Sequence, residues 1–268
     1  MNNGFLSPKE IANAVVEGNV TRSKLKTIPC ILLGIMAGVF IAFGGLANII
    51  VSQTLGAVDI GLAKFMGAAV FPVGLMFVVM CGAELFTGNN LMALAVIEKR
   101  ISINKMFRNW TLVYVANFIG SILLVLAVYY GGVLSGPAAQ KAMAIASSKI
   151  SIPLSEMVIR GILCNMIVVL AVWMATGAKD IISKIFACWF PIMLFVVCGF
   201  EHSIANMFFI PMGMILGADI TMVQLFSNLI PVTIGNIIGG AIIIPFVYHK
   251  IYLNNKDNTN KEKSKIYK

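Results

Sequence analysis

Residues 196–209 read VVCGFEHSIANMFF, which sets Glu201 and His202 inside an apolar run that extends from 185 to 216. A run of that length exceeds the roughly 20 residues of one straight helical crossing of a bilayer. Ionisable side chains at membrane depth cost several kcal/mol unless they face a cavity or a pore, so this placement points to a conduction site within the membrane. A second long run, 62–97, is interrupted in the same way by CGAELFTGNN at 81–90. Each is read as a broken helix, two half-helices joined by irregular backbone, which a membrane tolerates only against protein or a watery cavity.

The rest of the chain agrees. It has 268 residues, 59% of them hydrophobic and 12% charged, with a mean hydropathy of +0.91. That composition belongs to polytopic membrane proteins. The formal charge of +9 would suit nucleic acid, but the basic residues lie between and beyond the apolar runs and form no patch with interleaved aromatics. The five cysteines, Cys30, Cys81, Cys164, Cys188 and Cys198, form no CxxC pair and are read as small apolar core residues. The first 26 residues carry charges and no short apolar region ahead of a small-residue cleavage site, so a removed signal peptide is not expected.

Ser7-Pro8-Lys9-Glu10 has the pattern of a capped helix start, and Ile11 and Val15 follow at helical spacing, which predicts a short amphipathic helix on the membrane surface. Four further apolar runs, at 29–51, 110–133, 157–176 and 226–248, have single-crossing length. Counting each broken element once gives an all-α protein of six crossings. On that topology 16 of the 20 Lys and Arg fall on the terminal side, and only Lys64, Lys141, Lys149 and Arg160 fall opposite. Both termini are therefore expected in the cytoplasm. The organisation is an N-terminal segment 1–27, a membrane domain 28–252 and a basic tail 253–268 that is expected to be disordered.

The halves echo each other. Cys81-Gly82-Ala83-Glu84 matches Cys198-Gly199-Phe200-Glu201, and Asn117-Phe118-Ile119-Gly120 matches Asn236-Ile237-Ile238-Gly239, at offsets of 117 and 119. Three crossings per copy force the second copy upside down, an inverted repeat whose broken helices meet near the midplane. Leu85 then occupies in one half the place His202 takes in the other.

Half-helices beginning near Gly88–Asn90 and Ser203–Ala205 would aim free N–H groups and positive dipole ends at the pore centre, favouring an anion. Asn89, Asn90 and Ser203 are equally suited to capping those helices. His202 can donate a hydrogen bond to an anion or exchange a proton with it. Glu201 would repel anions and is expected to turn away; Glu84 and Glu201 are expected to accept from N–H groups of the broken backbone. Thr87 suits either a bond to loop backbone or one to His202. Phe71, Leu75, Leu85 and Phe195 are candidates for apolar constrictions.

The stretches CGAELFTGNN, GILCNMIVVLA at 161–171, GFEHSIANMFFIPMG at 199–213 and NLIPVTIGNIIGG at 228–240 closely resemble the formate/nitrite transporter family of anion channels. The likeness runs from about Ser7 to Tyr252. It implies a homopentamer of six-helix protomers with an aquaporin-like fold, each holding its own pore. It also implies roles: Thr87 in the flexible loop of the first break, His202 as the central gate, Asn165 as a polar pore-lining neighbour, and Phe71, Leu75, Leu85 and Phe195 as constrictions. Lys149 and Arg22 match basic positions at the outer and inner mouths, and Glu84, Glu201 and Asn206 are assigned to support of the broken helices. Within the family, overall likeness is to the clostridial hydrosulfide channels, although no quotable motif separates hydrosulfide from formate or nitrite.

The expected function is a bacterial inner-membrane channel for small monovalent anions, hydrosulfide first, with formate and nitrite as further substrates and no cofactor. Transient protonation at His202 would let a neutral acid cross the apolar rings. A water or glycerol pore would place NPA tripeptides at the breaks, and neither break has one. Proton-coupled symport would use the same residues. An intramembrane enzyme has little support, since the chain lacks GxSG ahead of a histidine and lacks HExxH.

Overall fold

The computed structural model of the chain describes residues 4–254 and is helical throughout, with a single isolated β-bridge, Phe5 to Ala178, among those residues. Most of the tail at 253–268 therefore lies outside the described residues. Ten helices follow in order: α1 Pro8–Arg22, α2 Thr27–Ser52, α3 Ile60–Gly82, α4 Phe86–Ile97, α5 Ile103–Tyr130, α6 Gly136–Ile150, α7 Leu154–Gly177, α8 Ile181–Val197, α9 Ser203–Ile215 and α10 Met222–Leu253.

Local chemistry sets most of the starts. Ser7 closes the expected capping box with Glu10 ahead of α1, and Thr221 does the same with Gln224 ahead of α10. Asp59, Ser102 and Asp180 cap α3, α5 and α8 through bonds to Leu62, Lys105 and Ser183 N–H. Five helices, α2, α3, α5, α7 and α10, are long and apolar enough to cross a membrane. The element expected as one further crossing is the pair α8 and α9, each too short alone. Both breaks fall where expected, between α3 and α4 and between α8 and α9. At each, the glycine after a cysteine takes a left-handed backbone, φ +79° at Gly82 and +70° at Gly199, which reverses the chain at no Cβ cost.

The echo extends further than the two motifs. Helices α1 to α5 and α6 to α10 repeat one order and one set of neighbours: α2 packs along α5 as α7 packs along α10, and α1 packs against α4 as α6 packs against α9. The α6 helix, which holds Lys149, went unrecognised in the sequence because its alanines and serines do not form a long apolar run. The buried face of α1 is Ile11, Ala12, Val15, Val16 and Asn19, laid against α4, α7 and the end of α10.

Cys30, Cys164 and Cys188 are buried as expected, but Cys81 and Cys198 are exposed, a correction to the core reading. They are the last residues before the left-handed glycines, where the helix side turns outward.

Candidate functional site

Each break is held by the same constellation of buried polar groups. In the first, Asn117 Nδ2 donates to the carbonyls of Gly34 (2.7 Å) and Glu84 (2.9 Å), while its Oδ1 accepts from Phe86 N–H (3.0 Å) at the start of α4. In the second, Asn236 Nδ2 donates to Gly161 O (2.8 Å) and Glu201 O (3.0 Å), and its Oδ1 accepts from Ser203 N–H (2.9 Å) at the start of α9. One amide thus satisfies three backbone groups that lipid could not.

The carboxylates follow the same plan. Glu84 accepts from Arg22 Nε (2.8 Å), Asn89 Nδ2 (2.7 Å) and Asn109 Nδ2 (3.4 Å). Glu201 accepts from Lys149 Nζ (3.0 Å) and Asn206 Nδ2 (2.7 Å). Asn89 and Asn206 each also donate to a second asparagine, Asn109 and Asn228, both at 2.8 Å. The expectation that the carboxylates accept from backbone N–H groups is therefore corrected. The backbone goes to Asn117 and Asn236, and the carboxylates hold side-chain amides and one cation each, because an anion buried this deep needs a charged partner.

Around this frame lie four cavities in series. The largest, about 620 Å³, opens on the α1 side and is lined by Arg22, Glu84, Gly88 and Lys184 among others. It shares Leu75 and Leu85 with a central chamber of only about 10 Å³, whose walls are Ile41, Phe71, Leu75, Leu85, Val168, Ile192, Phe195 and His202. The chamber shares Phe71, Phe195 and His202 with a third cavity of about 160 Å³, lined also by Lys149 and Glu201. That one shares Asn48, Ile145 and Val196 with a fourth, about 280 Å³, which holds Lys64 and Lys141.

All four bulky apolar residues singled out in the sequence thus meet around one narrow chamber. Phe71 lies edge-on to Phe195 with ring centroids 5.8 Å apart, and Phe195 stacks on the imidazole of His202 at 5.7 Å. Leu85 and His202, matched by the repeat, are the residues that precede α4 and α9, and both face this chamber.

His202 makes two bonds. Its Nδ1 accepts from Ala205 N–H (3.1 Å) and so caps α9, and its Nε2 lies 2.8 Å from Thr87 Oγ1. The two alternatives for Thr87 resolve in favour of the histidine. An Nδ1 that accepts carries no proton, so the neutral ring holds its hydrogen on Nε2 and donates to Thr87, leaving the threonine hydroxyl hydrogen for another acceptor. Asn89, Asn90 and Ser203 do not cap the half-helices; Asn117, Asn236 and His202 do.

Three assignments change. Asn165 is fully buried behind the half-helices, donating to Asn90 Oδ1 (2.8 Å) and Asn236 O (2.7 Å), and lines none of the four cavities. Arg22 lines the 620 Å³ cavity and Lys149 the 160 Å³ one, but each is neutralised by its glutamate. Glu201 does not turn away; it lines the 160 Å³ cavity, with Lys149 cancelling its charge. Lys184, Lys64 and Lys141, which the sequence marked only as charges that set the topology, line cavities and have no ion-pair or hydrogen-bond partner for their ammonium groups among the described residues. Their signal was present as isolated lysines flanking apolar runs.

The formate/nitrite transporter family model matches residues 9–250. The chain is 40% identical to the uncharacterized transporter YrhG of Bacillus subtilis (strain 168), over 98% of this chain and 99% of that one. It is 39% identical to the formate channel BtFdhC of Bacillus thuringiensis, over 95% and 98% respectively. Among solved structures, a pentameric formate channel with formate bound superposes with a TM-score of 0.77 at 33% identity, covering 85% of this chain and 98% of that one. None of these names carries hydrosulfide, so the likeness to hydrosulfide channels finds no support here. A match over nearly the whole length, joined to the paired asparagine frames and the apolar chamber at His202, places the chain in the formate/nitrite transporter family.

Proposed function

We propose that the protein is a channel for small monovalent anions, with formate the first substrate to test and hydrosulfide the second, assembled as a pentamer in which every protomer has its own passage. The observation that carries this reading is the series of cavities joined through Leu75, Leu85, Phe71, Phe195 and His202. The two related formate channels support formate, and the pentameric relative supports the assembly. The positive-inside count places both termini, and with them α1 and the 620 Å³ cavity, on the cytoplasmic side of a bacterial inner membrane. The organisation into an N-terminal segment 1–27, a channel domain 28–252 and a polar tail belongs to the same proposal.

An anion moving outward leaves bulk-like water in the inner cavity and meets Leu75 and Leu85, which offer no replacement for its hydration. The Thr87 hydroxyl lines none of the four cavities; it lies 2.8 Å from the Nε2 of His202, the polar side chain of the chamber wall, whose N–H satisfies its oxygen. His202 therefore acts as a neutral positioning group. An imidazolium would place a second proton on Nδ1, facing Ala205 N–H, and break the cap of α9. This geometry disfavours the expected route through transient protonation.

Formate flux into proteoliposomes, measured beside glycerol swelling, tests the reading. Formate uptake without glycerol uptake is expected, with His202→Asn keeping the pH dependence of the wild type. Wild-type protein that passes no monovalent anion overturns the proposal, and uptake against the formate gradient driven by a proton gradient assigns symport instead.

A further inference from the structure

The basic residues that the family resemblance places at the mouths do not present net charge. Arg22 is held by Glu84 at 2.8 Å and Lys149 by Glu201 at 3.0 Å, and both carboxylates are buried. A neutralised pair projects only a dipole, whose field falls off faster than that of a lone charge. Whatever draws an anion to either mouth must come from elsewhere.

Two places supply it. In the inner cavity the charged lining is Arg22, Glu84 and Lys184, so the ion pair leaves Lys184 as the uncompensated cation. Lys184 stands in the first turn of α8, after Asp180, whose carboxylate is committed to Ser183 N–H (2.8 Å) and Ser183 Oγ (2.6 Å). On the far side, Lys64 of α3 and Lys141 of α6 line one cavity of about 280 Å³ that contains no acidic residue in its wall. The nearest acid in sequence, Asp59, caps Leu62 N–H at 2.6 Å. These three lysines come from helices that the chain order sets at opposite mouths, two of them on the few-lysine side of the topology. The apolar chamber between the mouths makes this arrangement consequential: where walls of low dielectric enclose a path, one lone charge at its mouth raises the local concentration of counter-ions.

We propose that Lys184 at the inner mouth, and Lys64 with Lys141 at the outer mouth, are the charges that concentrate small monovalent anions for conduction, while Arg22 and Lys149 hold the two broken helices. This rests on the channel reading above and assigns the residues that set its rate at low ionic strength.

The test is current through the full-length protein in planar bilayers, with sodium formate at about 10 mM and about 1 M, conditions in which the screening length falls from about 30 Å to about 3 Å. With Lys184→Gln, current carried by anions entering from the inner side falls about two- to fivefold at the lower salt, the size expected for loss of one charge from the wall of a water-filled cavity. Current from the outer side stays as in the wild type, and at the higher salt the difference disappears. Lys64→Gln/Lys141→Gln gives the mirror result. If Lys184→Gln does not assemble, Lys184→Cys is modified after assembly. A cationic methanethiosulfonate then restores the inner-side current and an anionic one lowers it further, with wild-type protein treated alongside because Cys81 and Cys198 are exposed. Variants that conduct like the wild type at low salt, or losses that are equal in both directions or persist at high salt, overturn this inference. Absence of anion current in the wild type itself overturns the channel reading instead.

Discussion

Replacing Asn236 by leucine keeps the branched shape and the number of heavy atoms and strands three buried backbone groups: the carbonyls of Gly161 and Glu201 and the N–H of Ser203. In a soluble protein each stranded group would cost about 1–3 kcal/mol. Among membrane helices the measured worth of one such bond averages about 0.6 kcal/mol and reaches about 1.7, because the unfolded reference also finds partners. Three bonds at a site that sets the start of α9 therefore sum to about 2–5 kcal/mol. At about 2–4 °C per kcal/mol for a chain of this size, the unfolding midpoint falls by about 4–20 °C. Asn117→Leu, which strands Gly34 O, Glu84 O and Phe86 N–H, gives a drop of the same size. Asn13→Leu is the control, losing a single exposed bond to Lys9 O, and moves the midpoint by less than about 2 °C. The assay is tryptophan fluorescence of detergent-solubilised protein heated at one fixed rate. Midpoints for Asn117→Leu and Asn236→Leu that both match the control would refute the claim that these amides hold the breaks.

Leu85→Ala joins the inner cavity to the central chamber and is expected to raise single-channel conductance several-fold while lessening discrimination by anion size, read in bilayers with formate and larger carboxylates. Lys149→Met leaves the Glu201 carboxylate with Asn206 alone and costs about 2–4 kcal/mol, at the lower part of the range for a broken buried pair because water reaches the adjoining cavity. Arg22→Met costs less, since that arginine side chain is 29% exposed against 13% for Lys149, and the same melting assay ranks the two. At the start of α1, hydrogen bonds from the Ser7 hydroxyl and then the Ser7 N–H hold the Glu10 carboxyl below its ordinary 4.5. A depressed carboxyl stabilises the helix above that ordinary value, and the stabilisation is lost as pH falls through the folded one. Ser7→Ala therefore brings the Glu10 titration back toward 4.5 and shrinks the acid-dependent part of α1 stability, as followed by carboxyl-carbon NMR of glutamate-labelled protein.

Both breaks, the repeat and the apolar residues of the chamber were readable from the chain because their signals are local. A polar decapeptide within an apolar run, or a Cys-Gly pair that recurs in both halves, announces itself within a few residues. The partners of Glu84 and Glu201 were not readable, because Arg22 and Lys149 lie 62 and 52 residues away in sequence. The same holds for Thr87 and His202, which are 115 residues apart. Sequence supplied Asn117 and Asn236 as echoes, yet gave no hint that one amide would serve three backbone groups in each half. The α6 helix escaped because it is held by packing on α9 through Ala142 and Ala146, small residues whose four-residue spacing carries too little apolar bulk to stand out beside the long apolar runs.

The chamber bounded by Leu75, Leu85, Phe71 and Phe195 measures about 10 Å³, at the lower limit of the 10–15 Å³ a single water needs. A space of that size admits one water at most and no file of them, which interrupts a Grotthuss wire between the two larger cavities. Small anions would have to pass one at a time, stripped of their shells, each carrying its charge across as a current.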